Sequence, residues 1–114
     1  DVSPEEGIAT IKESLAINPD YVQAFYDMAT AQKLGKHYDE SIAYFQKVLA
    51  ADPKNTWSYY GIATNYADKR DKEHALQYLK KAIDLSPADV KQTAKTQDHF
   101  AWLRTDPDFK AMTS

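Results

Sequence analysis

Three histidines (His37, His74 and His99) and two acidic pairs (Glu5-Glu6 and Asp39-Glu40) are the residues whose types could support acid–base or metal chemistry. Their spacing argues against both. The histidines lie far apart in sequence and fall in different settings, a turn, a second helix and the tail, so they do not form a metal-ligand spacing. Each acidic pair opens an amphipathic segment, where carboxylates meet the positive end of a helix dipole. The chain has no cysteine, so thiolate ligands, thiol nucleophiles and disulfides are absent. It also has no glycine-rich phosphate loop and no serine–histidine–aspartate arrangement on a rigid turn. No catalytic residue, metal or cofactor is therefore expected, and the chain is read as a non-enzyme.

Lysine 91 and lysine 95 form a pair of like charges one helical turn apart, and Tyr26, Trp57 and Tyr60 are large aromatics near basic or polar neighbours. Such residues bind partners more readily than they transform substrates. The overall balance narrows the partner. Fourteen Lys and Arg against 17 Asp and Glu give a net charge of -3, with no basic run, so neither nucleic acid nor an anionic membrane surface is expected. The 114 residues make one domain, and 43% hydrophobic content is enough for a core without staples. Apolar runs extend only a few residues, far short of the ~20 that span a bilayer. The chain begins at Asp1 rather than Met, so any signal peptide or upstream region lies outside it. The compartment is left open, with the cytoplasm favoured.

The elements that must position these residues repeat. Pro19, Pro53 and Pro87 are evenly spaced, and other residue classes follow the same interval: Gly7, Ser41 and Ala75; Ile8, Ile42 and Leu76; Ile11, Phe45 and Leu79; Leu15, Leu49 and Ile83. One small position followed by large apolar ones at offsets 1, 4 and 8 lines one face of an α-helix. A second matched set precedes the last two of these helices: Phe25 with Tyr59, Tyr26 with Tyr60, Met28 with Ile62, Ala29 with Ala63 and Thr30 with Thr64. Ala29 and Ala63 would let helices approach closely, with Ser41 and Ala75 as the matching gap. The spacing predicts helices near 4–17, 21–34, 38–51, 55–68, 72–85 and 89–104, with no strand. Ser3-Pro4-Glu5-Glu6 reads as a capping box, and Asn55 and Asp89 as caps of the helices that follow them.

An aromatic early in the first helix, a small residue soon after, a small residue opening the second helix and a closing proline resemble the tetratricopeptide repeat. The resemblance runs through Ala24-Phe25-Tyr26-Asp27-Met28-Ala29, Tyr38-Asp39-Glu40-Ser41-Ile42-Ala43-Tyr44-Phe45 and Asp52-Pro53, then Ser58-Tyr59-Tyr60-Gly61-Ile62-Ala63, Tyr66, Ala75-Leu76, Tyr78-Leu79 and Ser86-Pro87. It implies an all-α, right-handed superhelical stack of antiparallel helical hairpins. Within one domain over 1–114, residues 4–19 would be a half repeat (second helix only), 20–53 and 54–87 complete repeats, and 88–112 a capping helix and tail. Two departures stand out. Gly35 lies one residue earlier than the family's turn glycine, and Arg70 occupies that glycine's place in the next repeat, which predicts a looser second turn. The tail resembles a closing segment in which Phe100, Leu103, Phe109 and Met112 fold back onto the last hairpin.

The resemblance implies a non-catalytic scaffold whose first helices line a concave groove for a partner peptide or protein segment. Groove positions would be Gln23, Tyr26, Thr30 and Lys33 from one repeat, Trp57, Tyr60, Thr64 and Asp68 from the next, and Lys91 and Lys95 from the last helix. That groove would be aromatic with a basic end, suited to an apolar anchor beside an acidic residue. Two readings stand open: Tyr26, Trp57 and Tyr60 either contact the partner or pack on one another, and Lys91 and Lys95 form either that basic end or an ordinary solvated face. A subclass of the family holds a chaperone's C-terminal carboxylate in a Lys/Asn clamp. Lys91 and Lys95 match its last basic positions, but Tyr26, Thr30 and Gly61 replace its other donors, so that clamp is not expected. The alternative is self-association. Ile8, Ile11, Leu15 and Ile17 form an apolar stripe without a hairpin partner before it in this sequence, which would be covered by upstream residues or by a second copy in a homodimer.

Overall fold

The computed structural model describes residues 22–114, all-α throughout that range. The reading of residues 4–19 as a half repeat, its capping box and the self-association stripe of Ile8, Ile11 and Leu15 lie outside the described residues. The described chain runs α1 (Val22–Leu34), α2 (Tyr38–Ala51), α3 (Thr56–Asp68), α4 (Lys72–Leu85) and α5 (Pro87–Thr96), then a 3-10 segment (Asp98–Leu103) and a short α6 (Pro107–Thr113). Helix α1 packs along α2 and α3 along α4, and the two hairpins join chiefly through α2 and α3.

The small positions set how closely the helices approach. Ala29, Ala63, Ser41 and Ala75 are fully buried. The Ser41 hydroxyl donates to the Ala29 carbonyl at 2.7 Å and accepts from Asn65 Nδ2 at 2.8 Å, so one buried oxygen joins α1, α2 and α3. Gly61 lies under the Phe45 ring, where a Cβ would fall well inside contact distance of three ring atoms. Phe45 is itself buried among Ala29, Ile42 and Ile62. The larger core gathers Leu76, Leu79 and Ile83 of α4 with Val90 and Ala94 of α5 and with Phe100, Leu103 and Phe109 of the tail.

Asn55 caps α3 by accepting from Ser58 N at 3.0 Å. Asp89 does not cap α5. That helix starts at Pro87, with Ser86 at its N-cap, so Asp89 sits inside the first turn. The single helix expected over 89–104 is also broken: Gln97 is extended, and the chain continues as the 3-10 segment and α6. Nor is the second turn looser. Lys36 and Arg70 both adopt the left-handed conformation, at φ 62 and 64°, and both turns close with the same bonds, His37 N to Gln32 O and Asp71 N to Tyr66 O. Lys36 and Arg70 occupy the place where a glycine would be unstrained.

Two substitutions test this packing by thermal melting. Gly61→Ala forces Phe45 out of its site and is expected to lower stability by about 1–3 kcal/mol, with part recovered by adding Phe45→Leu. Lys36→Gly removes the left-handed strain and is expected to raise stability by roughly 1 kcal/mol. Arg70→Gly should gain less, because the Arg70 guanidinium lies 5.1 Å from the Trp102 ring centre and that contact is lost.

Candidate functional site

The first helices α1 and α3 lie side by side and, with the end of α5, enclose a hollow of about 270 Å³. Its wall on α1 carries Tyr26, Thr30 and Lys33, one helical turn apart in succession. On α3 it carries Trp57, Tyr60 and Gly61, and the chain after α4 contributes Thr93, Gln97 and His99.

The expected groove residues are not all alike in this setting. Tyr26 packs edge-on against Phe45, with ring centres 5.5 Å apart, and burial, with the Asp27 charge adding, raises its pKa. Thr30 is exposed and donates to the Tyr26 carbonyl at 3.1 Å. Trp57 is 40% exposed and stands edge-on to Tyr60 at 5.5 Å. Tyr60 is buried, at 6% exposure. It packs on Phe100, and its hydroxyl donates to Gln97 Oε1 at 2.6 Å; burial holds its pKa far above the ordinary tyrosine value. Of the two readings open for the aromatics, packing describes Tyr60 well, whereas Trp57 keeps an accessible face. Thr64 is fully buried beneath the hollow. Gln23 is exposed and engages Asp27 along its own helix at 2.9 Å.

Lys33 reaches across from α1 to α3. Its Nζ donates to Thr64 Oγ1 at 2.5 Å, and that hydroxyl donates in turn to the Gly61 carbonyl at 2.8 Å. Burial lowers the lysine's pKa below its ordinary 10.5, opposed by the Asp68 charge. Asp68 is engaged elsewhere, with His99 Nδ1 at 2.9 Å from one carboxylate oxygen.

Lys91 and Lys95 lie apart from this hollow. Lys91 Nζ donates to the Ser114 carbonyl at 3.1 Å and lines a separate depression between α4 and α6. Lys95 is exposed beside Arg104 and Phe109. The expected basic end is thus placed on other faces. The cause is the joint before α5. Four residues, 52–55, separate α2 from α3, whereas Ser86 alone separates α4 from α5, so α5 turns Thr93 and Gln97 to the hollow. Thr93, Gln97 and His99 were not among the expected groove residues, because they follow that shortened joint and fall off the repeat register. Phe45 and Gly61 also line the hollow, although their classes pointed only to packing.

A row of antiparallel helical hairpins whose first helices share a hollowed, partly aromatic face defines an α-solenoid of the protein-interaction kind. The chain belongs to the tetratricopeptide-repeat family: residues 22–55 and 58–89 match the family's sequence model, described as Tetratricopeptide repeat. Among solved structures, the crystal structure of MamA is similar in fold, with a TM-score of 0.75 at 18% identity over 96% of this chain. The chain spans 66% of that structure's length. The comparison with curated proteins found no match. Tetratricopeptide repeats are in general non-catalytic scaffolds for protein interaction. Among the described residues, no helix is long and apolar enough to cross a membrane.

The part-buried cation has a measurable signature. Below its lowered pKa, Lys33 carries its proton in both folded and unfolded chains, and the burial penalty is felt in full. Between that value and 10.5 the folded chain sheds the proton first, so stability rises with pH. Lys33→Met is therefore expected to melt higher than the wild type near neutral pH, with the gap closing as pH rises toward 10.5. Parallel melts across that range, in which the tyrosine contributions cancel, check the sign.

Proposed function

We propose that this chain holds a segment of a partner polypeptide in the hollow between α1, α3 and the end of α5. The observation that carries the reading is Trp57: a large aromatic left 40% exposed on a concave face, held edge-on by a tyrosine whose own hydroxyl is fixed to Gln97. A pre-positioned aromatic loses little entropy on contact, which is why such residues dominate interface energies. Tyr26 and the exposed Thr30 continue the same surface along α1. The hollow accepts one or two side chains of the segment, while the rest of it lies across the first-helix face. Tyr60 supports this surface from beneath and Gln23 lies outside it.

The test compares the wild type with Tyr26→Ala/Trp57→Ala, a pair chosen to leave the buried Tyr60 intact. Far-UV circular dichroism and melting establish that both are folded. Partners captured by the wild type are expected to be lost by the variant, and a Trp102→Phe background isolates Trp57 emission, which should shift when a captured segment is added back. Equal capture by both proteins, with Trp57 emission unmoved, would overturn the assignment.

A further inference from the structure

Resting on that groove reading, we infer that the hollow contains a subsite for a single carboxylate, received by the Lys33 ammonium. Lysine carries three N–H donors. Among the described residues, the hydrogen-bond partner of Lys33 is one neutral hydroxyl, that of Thr64, and no carboxylate lies within ion-pair distance of it. The contrast with the surface is plain: Lys69, Lys72 and Lys80 each meet an aspartate of this chain in more open surroundings. Asp68 is the carboxylate whose charge Lys33 feels, but it is fixed by His99. A part-buried ammonium in the wall of a hollow that Tyr26, Trp57 and Phe45 also line, with two donors left over and no carboxylate bound to it among the described residues, is a charge in a low-dielectric setting, where a partner anion gains most. Gln97, whose Oε1 takes the Tyr60 hydroxyl, keeps its amide N–H groups as further donors beside the hollow.

The charge pattern selects the anion. A phosphoryl dianion would ask for several cations or a bidentate arginine and would feel Asp68 nearby, whereas a carboxylate needs one cation and one or two neutral donors. A hollow of about 270 Å³ also fits a side chain or a chain end better than a drug-sized ligand. This subsite differs in place from the clamp of the chaperone-binding subclass, whose first lysine position is Tyr26 here. The carboxylate comes from an Asp or Glu side chain or from a C-terminus.

Positional peptide arrays carrying a fixed leucine or phenylalanine beside a varied position test this with the whole chain. One array is amide-capped and one has free C-termini. The wild type is expected to favour Asp or Glu over Asn or Gln by about tenfold in the capped array if a side chain is the source. A similar preference for the free over the capped C-terminus identifies a chain end. Lys33→Met should abolish the preference while still binding the apolar residue, and Lys33→Arg should keep it. Melting curves confirm that both variants fold. Apolar binding that depends on Tyr26 and Trp57 but shows no acid preference overturns the carboxylate subsite and leaves the groove reading standing. An absence of any peptide binding, or binding indifferent to Tyr26→Ala/Trp57→Ala, overturns both.

Discussion

Everything in this chain depends on how near one helix can come to the next. At Ala29, Ser41, Gly61, Ala63 and Ala75 the helices approach where side chains are small or missing, and Phe45 fills the space that Gly61 leaves. Apolar contact alone would allow neighbouring helices to slide. The Ser41 hydroxyl resists this, because it binds the Ala29 carbonyl on α1 and Asn65 on α3 at once. A buried polar atom with two satisfied partners costs little and fixes register, whereas the same atom unsatisfied would be a penalty. The concave face is a consequence: with α2 holding α1 and α3 at set positions, Lys33 can span from one first helix to Thr64 on the next.

Most of the architecture was legible because close packing leaves a periodic trace. The matched pairs Ala29/Ala63 and Ser41/Ala75 and the apolar offsets each report a packing contact that recurs, and the interval between the exposed Pro53 and Pro87 marks where the hairpins join, so residue class identifies the element. The turns show where class is silent. Backbone geometry at Lys36 and Arg70 is the same, yet neither is the glycine that would announce it. Six-to-one bonds at His37 and Asp71 hold those turns regardless of the side chain.

The lining of the hollow was legible only on its repeating half. Tyr26, Thr30, Lys33, Trp57 and Tyr60 follow from the family resemblance. Thr93, Gln97 and His99 do not, since the shortened joint at Ser86 changes how α5 meets the stack, and no local motif records a joint's geometry. Phase gives direction but not depth. Tyr60 and Trp57 sit one turn apart on the same face, yet one is buried and the other open, because Phe100 of the tail comes up against Tyr60 and not against Trp57. A residue distant in sequence and outside the repeat decides which aromatic is available.

The tail is thereby part of the hollow as well as part of the core. Phe100 stacks on Phe109 at 5.7 Å, Trp102 Nε1 donates to the Ala67 carbonyl at 3.1 Å, and Lys72 ties down Asp106 at 2.7 Å, so the segment is held by packing, a hydrogen bond and an ion pair together. Gln97 and His99 are carried on that same segment and reach Tyr60 and Asp68. Asp68, whose charge Lys33 feels, is bonded to His99, and the hydrogen bond of Lys33 goes to the Thr64 hydroxyl. The tail thus supports the hollow from beneath through Phe100 and supplies Gln97 and His99 to its wall, and loosening its anchors would alter both without touching either first helix.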